Sequence, residues 1–234
     1  ILVGLVGSEM CIRDSPETFF DDFSTRSPFV SKTWMALKGM KGHVLNIAPL
    51  ESELKADPKL RPPFLQEMTR TQRKAWHQAY DPRNMRYREL EKQGKLQGDE
   101  RNLYVYQRFI KDYVRCIDGL DAQIGRILHF LEKEDLAENT LLVYSSDQGF
   151  FTGEHGWAEK RWMYEESFKS PLLMRWPGVI EPGSVIRDLV QNIDLAPTFL
   201  QAAGLDVPCT LHGLALQPLF SESGPKEWRE EVLY

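Results

Sequence analysis

Asp147-Gln148-Gly149 directly follows the apolar run Leu141-Leu142-Val143-Tyr144, and Lys160 comes thirteen residues after Asp147, with His155 and Trp157 in between. A carboxylate oxygen next to an amide oxygen is a pair of hard donors, suited to Ca²⁺ or Mg²⁺. An ammonium a little further on can neutralise an anion held beside such an ion. Gly149 lets the backbone leave the preceding run sharply. Each residue also has a plainer reading. Asp147 could cap the next turn, and Lys160, beside Arg161, could be a solvated lysine. In Gly153-Glu154-His155-Gly156 the histidine could touch a substrate or tie its own loop together by hydrogen bonds. No Cys/His cluster in the chain suits zinc.

These residues need a scaffold, and the flanking patterns supply one. The run 141–144 has Glu138-Asn139 before it and the Asp147 to Gly149 turn after it, which predicts a buried strand. Asp147 and Gln148 then sit at its carboxyl end, where open parallel sheets bind ligands. Upstream, Tyr106, Phe109, Ile110, Tyr113, Ile117, Leu120, Ile124, Ile127, Leu128 and Leu131 recur every three or four residues and predict one long helix with an apolar face. His129 beside that face reads as structural. A second strand is expected at 172–176, closed by Pro177-Gly178. Strand and helix in alternation predict an α/β fold with a mainly parallel sheet.

Glu165 and Glu166 could orient Lys160 or cap a helix. Asp194 reads as the cap of a helix that takes Pro197 in its first turn and ends at Gly204. From Pro16 to about Gly98 the chain is rich in Pro, Lys and Arg, with turn signals at Asp57-Pro58, Pro62-Pro63 and Asp81-Pro82. Short helices on long connections are expected there, one of them running through Phe64, Leu65, Met68, Trp76 and Tyr80. His43 and His77 read as surface or packing residues.

The 234 residues, 42% of them hydrophobic, are enough for one sizeable domain and contain no run long enough to span a membrane. A net charge of −5 gives no broad basic footprint for nucleic acid, so a polyanionic substrate would have to meet a local basic patch. Three scattered cysteines fit neither a disulfide framework nor a metal site.

The segments YQRFIKDYVRCIDGLDAQIGRIL, NTLLVYSSDQGFFTGEHGWAEKRWMYEESFKSPLLMRWPG and NIDLAPTFLQAAG resemble, in order and spacing, the type I sulfatases of the alkaline-phosphatase-like superfamily. The resemblance covers roughly residues 100–234. It implies an incomplete alkaline-phosphatase-like α/β/α sandwich, Asp147 and Gln148 as metal ligands, and Lys160 as a catalytic, sulfate-contacting residue, with His155 on the substrate. It further implies Ca²⁺, with Mg²⁺ as the alternative, and a formylglycine nucleophile made from Cys or Ser in Cys/Ser-X-Pro-X-Arg. Cys11, Cys116, Cys209 and the serines stand in no such pattern, and the early Asp-Asp metal pair is missing too.

The sequence therefore reads as the carboxyl-side portion of a catalytic domain (16–204). It follows an adapter-like segment, ILVGLVGSEMCIRDS (1–15), and leads into a connection (205–234) toward a further subdomain. Such an enzyme would hydrolyse sulfate esters on glycan or glycosaminoglycan sugars and would be exported. A phosphonate or phosphate monoester hydrolase of the same superfamily, or a non-catalytic sugar- or calcium-binding remnant, are the other readings.

Overall fold

The structure is a computed structural model and describes residues 14–40, 45–221, 224–225 and 227–232. Cys11, His43 and most of the adapter-like segment lie outside the described residues. Two compact units divide the chain, one made of residues 1–122 with 150–167, the other of 123–149 with 168–234.

In the first unit, short helices α1 (Pro28–Ser31), α2 (Glu51–Ala56) and α3 (Pro63–Glu67) lead into α4 (Arg70–Lys92). The single helix expected through Phe64 and Tyr80 is two. Thr69 interrupts it because its hydroxyl accepts from the Gln72 N–H, while the Gln72 side chain accepts from the Thr69 N–H, a reciprocal cap that starts a new helix. Trp76 stays on the inner side and packs with Ala48, Leu54 and Leu65.

Helix α5 (Gly98–Lys133) realises the long apolar stripe, with Asp99 and Glu100 in its first turn and Lys133 in its last, matching the helix dipole at both ends. It ends where Asp135 takes a left-handed φ of 54° and the Leu136 N–H reaches back to the Leu131 carbonyl at 2.9 Å. Only the first half of the stripe is covered. Val105, Tyr106, Phe109 and Ile110 join Phe19, Leu37, Met40 and Leu45 in a buried cluster, whereas Leu120, Ile127 and Phe130 are about half exposed.

The strands depart from expectation. β1 (Leu142–Ser145) and β4 (Leu172–Arg175) form where predicted, but they pair antiparallel, with Leu142 opposite Arg175 and Ser145 opposite Leu172. The residues between them hold no helix long enough for a crossover. They fold instead into the small antiparallel ladder of β2 (Phe151–Thr152) and β3 (Ala158–Glu159), followed by α6 (Glu165–Phe168), and a mainly parallel sheet is not seen among the described residues. Glu165 and Glu166 occupy the first turn of α6, inside the helix rather than at the cap position expected of them. Helix α7 (Leu195–Ala202) takes Pro197 in its first turn, as expected.

Candidate functional site

The division into units separates the candidate residues. Asp147 and Gln148 belong to the second unit, His155 and Lys160 to the first.

In the second unit β1 delivers the chain to a turn at Ser146–Gly149. Ser145 Oγ donates to the Pro171 carbonyl at 3.0 Å and fixes the strand end. Asn192 Nδ2 donates to the Ser146 carbonyl at 3.0 Å and to the Asp147 carbonyl at 3.4 Å. This clamp, 46 residues along the chain, was legible only as the first residue of the NIDLAPTF segment. The Asp147 side chain is exposed, and Ser146 Oγ donates to its Oδ1 at 3.3 Å. Gln148 is half-buried, and its amide makes no hydrogen bond among the described residues.

Two adjacent, largely unengaged hard oxygen donors suit part of a Ca²⁺ or Mg²⁺ shell. A Ca²⁺ ion takes about 6–8 oxygens, and no group of three or more His, Cys, Asp or Glu that could hold a metal occurs among the described residues.

Asp194 does not cap α7 with its side chain. Fully buried, its carboxylate accepts from the Gln191 N–H at 2.7 Å and the Leu214 N–H at 2.8 Å, and takes both terminal nitrogens of Arg229, at 2.8 and 2.7 Å. A cap motif reads only local sequence, and these partners lie 20 and 35 residues further on. Thr198 continues the tie, donating to the Asp194 carbonyl at 2.6 Å and accepting from the Leu216 N–H at 2.9 Å.

In the first unit, the β2–β3 ladder holds the His155 loop. Gly153 has φ 126°, and a β-carbon there would lie 2.5 Å from the Tyr106 ring. At Gly156 it would lie 2.8 Å from the Phe19 carbonyl oxygen. Both glycines are therefore required by close approach. Glu154 folds back so that its carboxylate accepts from the Thr152 N–H at 2.6 Å. Trp157 is 1% exposed, stacks on Phe23 at 5.2 Å and packs with Val30, Met35 and Phe151, so it serves as core.

His155 is buried at a left-handed φ of 56°. Its N–H donates to Thr18 Oγ1 at 3.2 Å, its Nδ1 lies 2.7 Å from Asp21 Oδ2, and its Nε2 lies 4.0 Å from Glu166 Oε1. Arg26 also binds Asp21, at 2.5 Å. Burial pushes the Asp21 carboxyl up, but the Phe23 N–H, His155 and Arg26 together hold it below the usual carboxylate range. Nothing in the local sequence links Asp21 or Arg26 to a histidine some 130 residues away.

Lys160 is half-buried, and Ser167 Oγ donates to its carbonyl at 2.5 Å, fixing its backbone. Its ammonium has no ion-pair partner among the described residues.

The first unit thus presents Lys160 on a hairpin loop, and the second presents the hard oxygens of Asp147 and Gln148 on a strand-end turn. Residues 153–234 match the model of the family described as N-sulphoglucosamine sulphohydrolase, C-terminal. An N-acetylglucosamine-6-O-sulfatase of Bacteroides thetaiotaomicron is 35% identical over 223 residues, which is 94% of this chain and 39% of that protein. A protein solved in complex with its substrate D-glucosamine-2-N,6-O-disulfate superposes with a TM-score of 0.84 at 35% identity, over 93% of this chain and 44% of the other. A phosphonate monoester hydrolase from Silicibacter pomeroyi follows at 0.52 and 29%, over 55% of this chain and 25% of the other. In sequence the chain is similar to type I sulfatases, and its structural neighbours imply their alkaline-phosphatase-like fold; it spans about two fifths of the length of the first of these relatives.

Proposed function

We propose that the protein containing this chain hydrolyses sulfate esters on glycan sugars, with a 6-O-sulfated glucosamine unit as the favoured substrate. The observation that carries this reading is the likeness to the glucosamine-disulfate-bound protein, which extends over nearly the whole chain at a TM-score of 0.84. On this reading Asp147 and Gln148 hold a cation, Ca²⁺ or alternatively Mg²⁺, within a set of ligands that other parts of the protein complete. Bound there, such an ion supplies Lewis-acid stabilisation of charge on sulfate oxygens.

Lys160 places its ammonium against the sulfate and neutralises charge on the leaving oxygen. The support is its unpaired head group on a backbone fixed by Ser167. His155 acts through the loop, because its Nδ1 is committed to Asp21. The nucleophile, a formylglycine, would lie outside residues 16–234. The mainly parallel α/β/α sandwich would be a property of the whole protein, to which this chain contributes residues 16–204 and the β1–β4 ladder. Export from the cytoplasm fits a glycan substrate, and among the described residues no helix is long and apolar enough to cross a membrane.

The test is to extend the coding sequence upstream of residue 16, look for Cys/Ser-X-Pro-X-Arg and an Asp-Asp pair, express the product and compare sulfate release from glucosamine 6-O-sulfate with phosphonate monoester cleavage. Sulfate release is expected to dominate, and Lys160→Ala to cut it about a hundredfold or more. Faster phosphonate cleavage would transfer the assignment to the hydrolases represented by the Silicibacter protein. No hydrolysis of either ester would leave a non-catalytic sugar- or calcium-binding remnant.

A further inference from the structure

A chain of net charge −5 has no general attraction for a polyanion. Within the first unit, however, α4 and α5 enclose a cleft of about 250 Å³ whose walls carry Arg83, Arg86, Arg108, Lys111 and Arg115 against the single carboxylate of Asp112. On α5 the three cations follow at three-to-four spacing, so they fall on one side of the helix facing the cleft.

The carboxylate does not cancel the cluster. Asp112 sits beneath, accepting from Asn46 at 2.8 Å and Arg115 at 2.5 Å, with Arg83 at 3.6 Å. Arg108 builds the floor. Its guanidinium donates to the carbonyls of Leu45 and Arg83 and, at 2.8 Å, to Asn84 Oδ1. The Asn84 amide nitrogen is fully buried and has no acceptor, so this corner has donors in excess of acceptors. Arg86 is exposed at the rim, with no ion-pair partner among the described residues. Five cations facing one carboxylate in a concave, partly apolar wall focus a positive potential there.

We infer that this cleft docks a sulfated unit of a polyanionic glycan other than the unit being hydrolysed, an inference that rests on the sulfatase reading. Its volume is below the roughly 300 Å³ at which pockets begin to enclose a small ligand, so it takes one charged unit of a longer chain. Guanidinium groups engage a sulfate by paired N–H donors, as they do phosphate and carboxylate. A single-stranded nucleic acid would need a series of aromatic platforms, and Tyr104 is the sole aromatic among the described residues that line the cleft.

The experiment titrates the full-length protein with a heparin-derived hexasaccharide, its desulfated counterpart and a polyphosphate of matched charge. The sulfated hexasaccharide is expected to bind and the desulfated one not. Arg86→Glu should weaken binding at least tenfold and flatten its salt dependence by about one charge. Lys111→Gln is the second variant, expected to weaken binding severalfold. Wild-type affinity in both variants, or polyphosphate or desulfated sugar bound as well as the sulfated chain, would overturn the assignment. Sulfate release from glucosamine 6-O-sulfate, read on the wild-type sample, tests the sulfatase reading separately, since cleft binding is measured without turnover.

Discussion

The two segments that carry the candidate chemistry are built in opposite ways. The loop from Gly153 to Lys160 is over-determined, with glycines that no side chain could replace, a tryptophan in the core, and a histidine bound to a carboxylate that also binds Arg26. The turn from Ser146 to Gly149 has Asn192 across its carbonyls and leaves the Asp147 carboxylate in solvent. A lysine that must meet an anion at one fixed position gains from a rigid frame. Hard oxygen ligands are ordered by the ion they bind, and a lightly held turn can adjust to it. On the proposed roles, the difference would be the one between a preorganised electrostatic group and a metal ligand.

The sharpest way to break this contrast is at the base of the looser turn. Asp194→Ala removes the carboxylate that accepts from both terminal nitrogens of Arg229 and leaves a guanidinium that is 13% exposed with the neutral Gln191 Oε1, at 3.2 Å, in place of its ion-pair partner. A loss of about 3–5 kcal/mol is expected, read by urea unfolding, with Arg229→Ala giving a loss of similar kind. Next comes Gly153→Ala, which drives a β-carbon to 2.5 Å from Tyr106 at a φ that side chains avoid. About 3 kcal/mol is expected, at the upper end for overpacking. An unchanged unfolding midpoint would show that the loop is not tightly framed.

Asp21→Asn tests the Asp21–Arg26–His155 contacts through pH. The folded carboxyl titrates below its unfolded value of about 3.9, so its contribution is complete above that value and is lost as pH falls through the folded one. The variant should therefore be less stable by about 2 kcal/mol at pH 7, with the gap closing in acid. A gap independent of pH would remove charge from the explanation. The smallest effect belongs to Asn192→Ala, about 1 kcal/mol. It should appear as faster hydrogen exchange in residues 146–149 and leave 153–160 unaltered.

Legibility in the sequence followed range. Helix α5 was readable because its stripe is local and long, and β1 because turn formers flank a β-prone run. Strand direction was not, because it depends on what lies between Ser145 and Leu172, and the short β2–β3 ladder leaves no sign in hydrophobic periodicity. The placement of Asp147, Gln148, His155 and Lys160 on a turn and a loop was readable from glycine and charge. Their supports were not, since Asp21, Arg26 and Asn192 each meet their partners across long stretches of chain. The cationic cleft was visible as separate arginines and a lysine on two helices, and became one feature once α4 and α5 faced each other.

One further feature of the Lys160 loop bears on anyone engineering this protein. Glu159, the residue before Lys160, holds a φ of 93°, and residues with a β-carbon forced into such conformations typically store about 1–3 kcal/mol. A screen for thermostable variants should therefore find Glu159→Gly among its gains, and that glycine would also set free the backbone that aims the lysine. If Lys160 has the role proposed for it, heat resistance and turnover would then pull in opposite directions at a single peptide unit, so selection for the first alone would tend to erode the second.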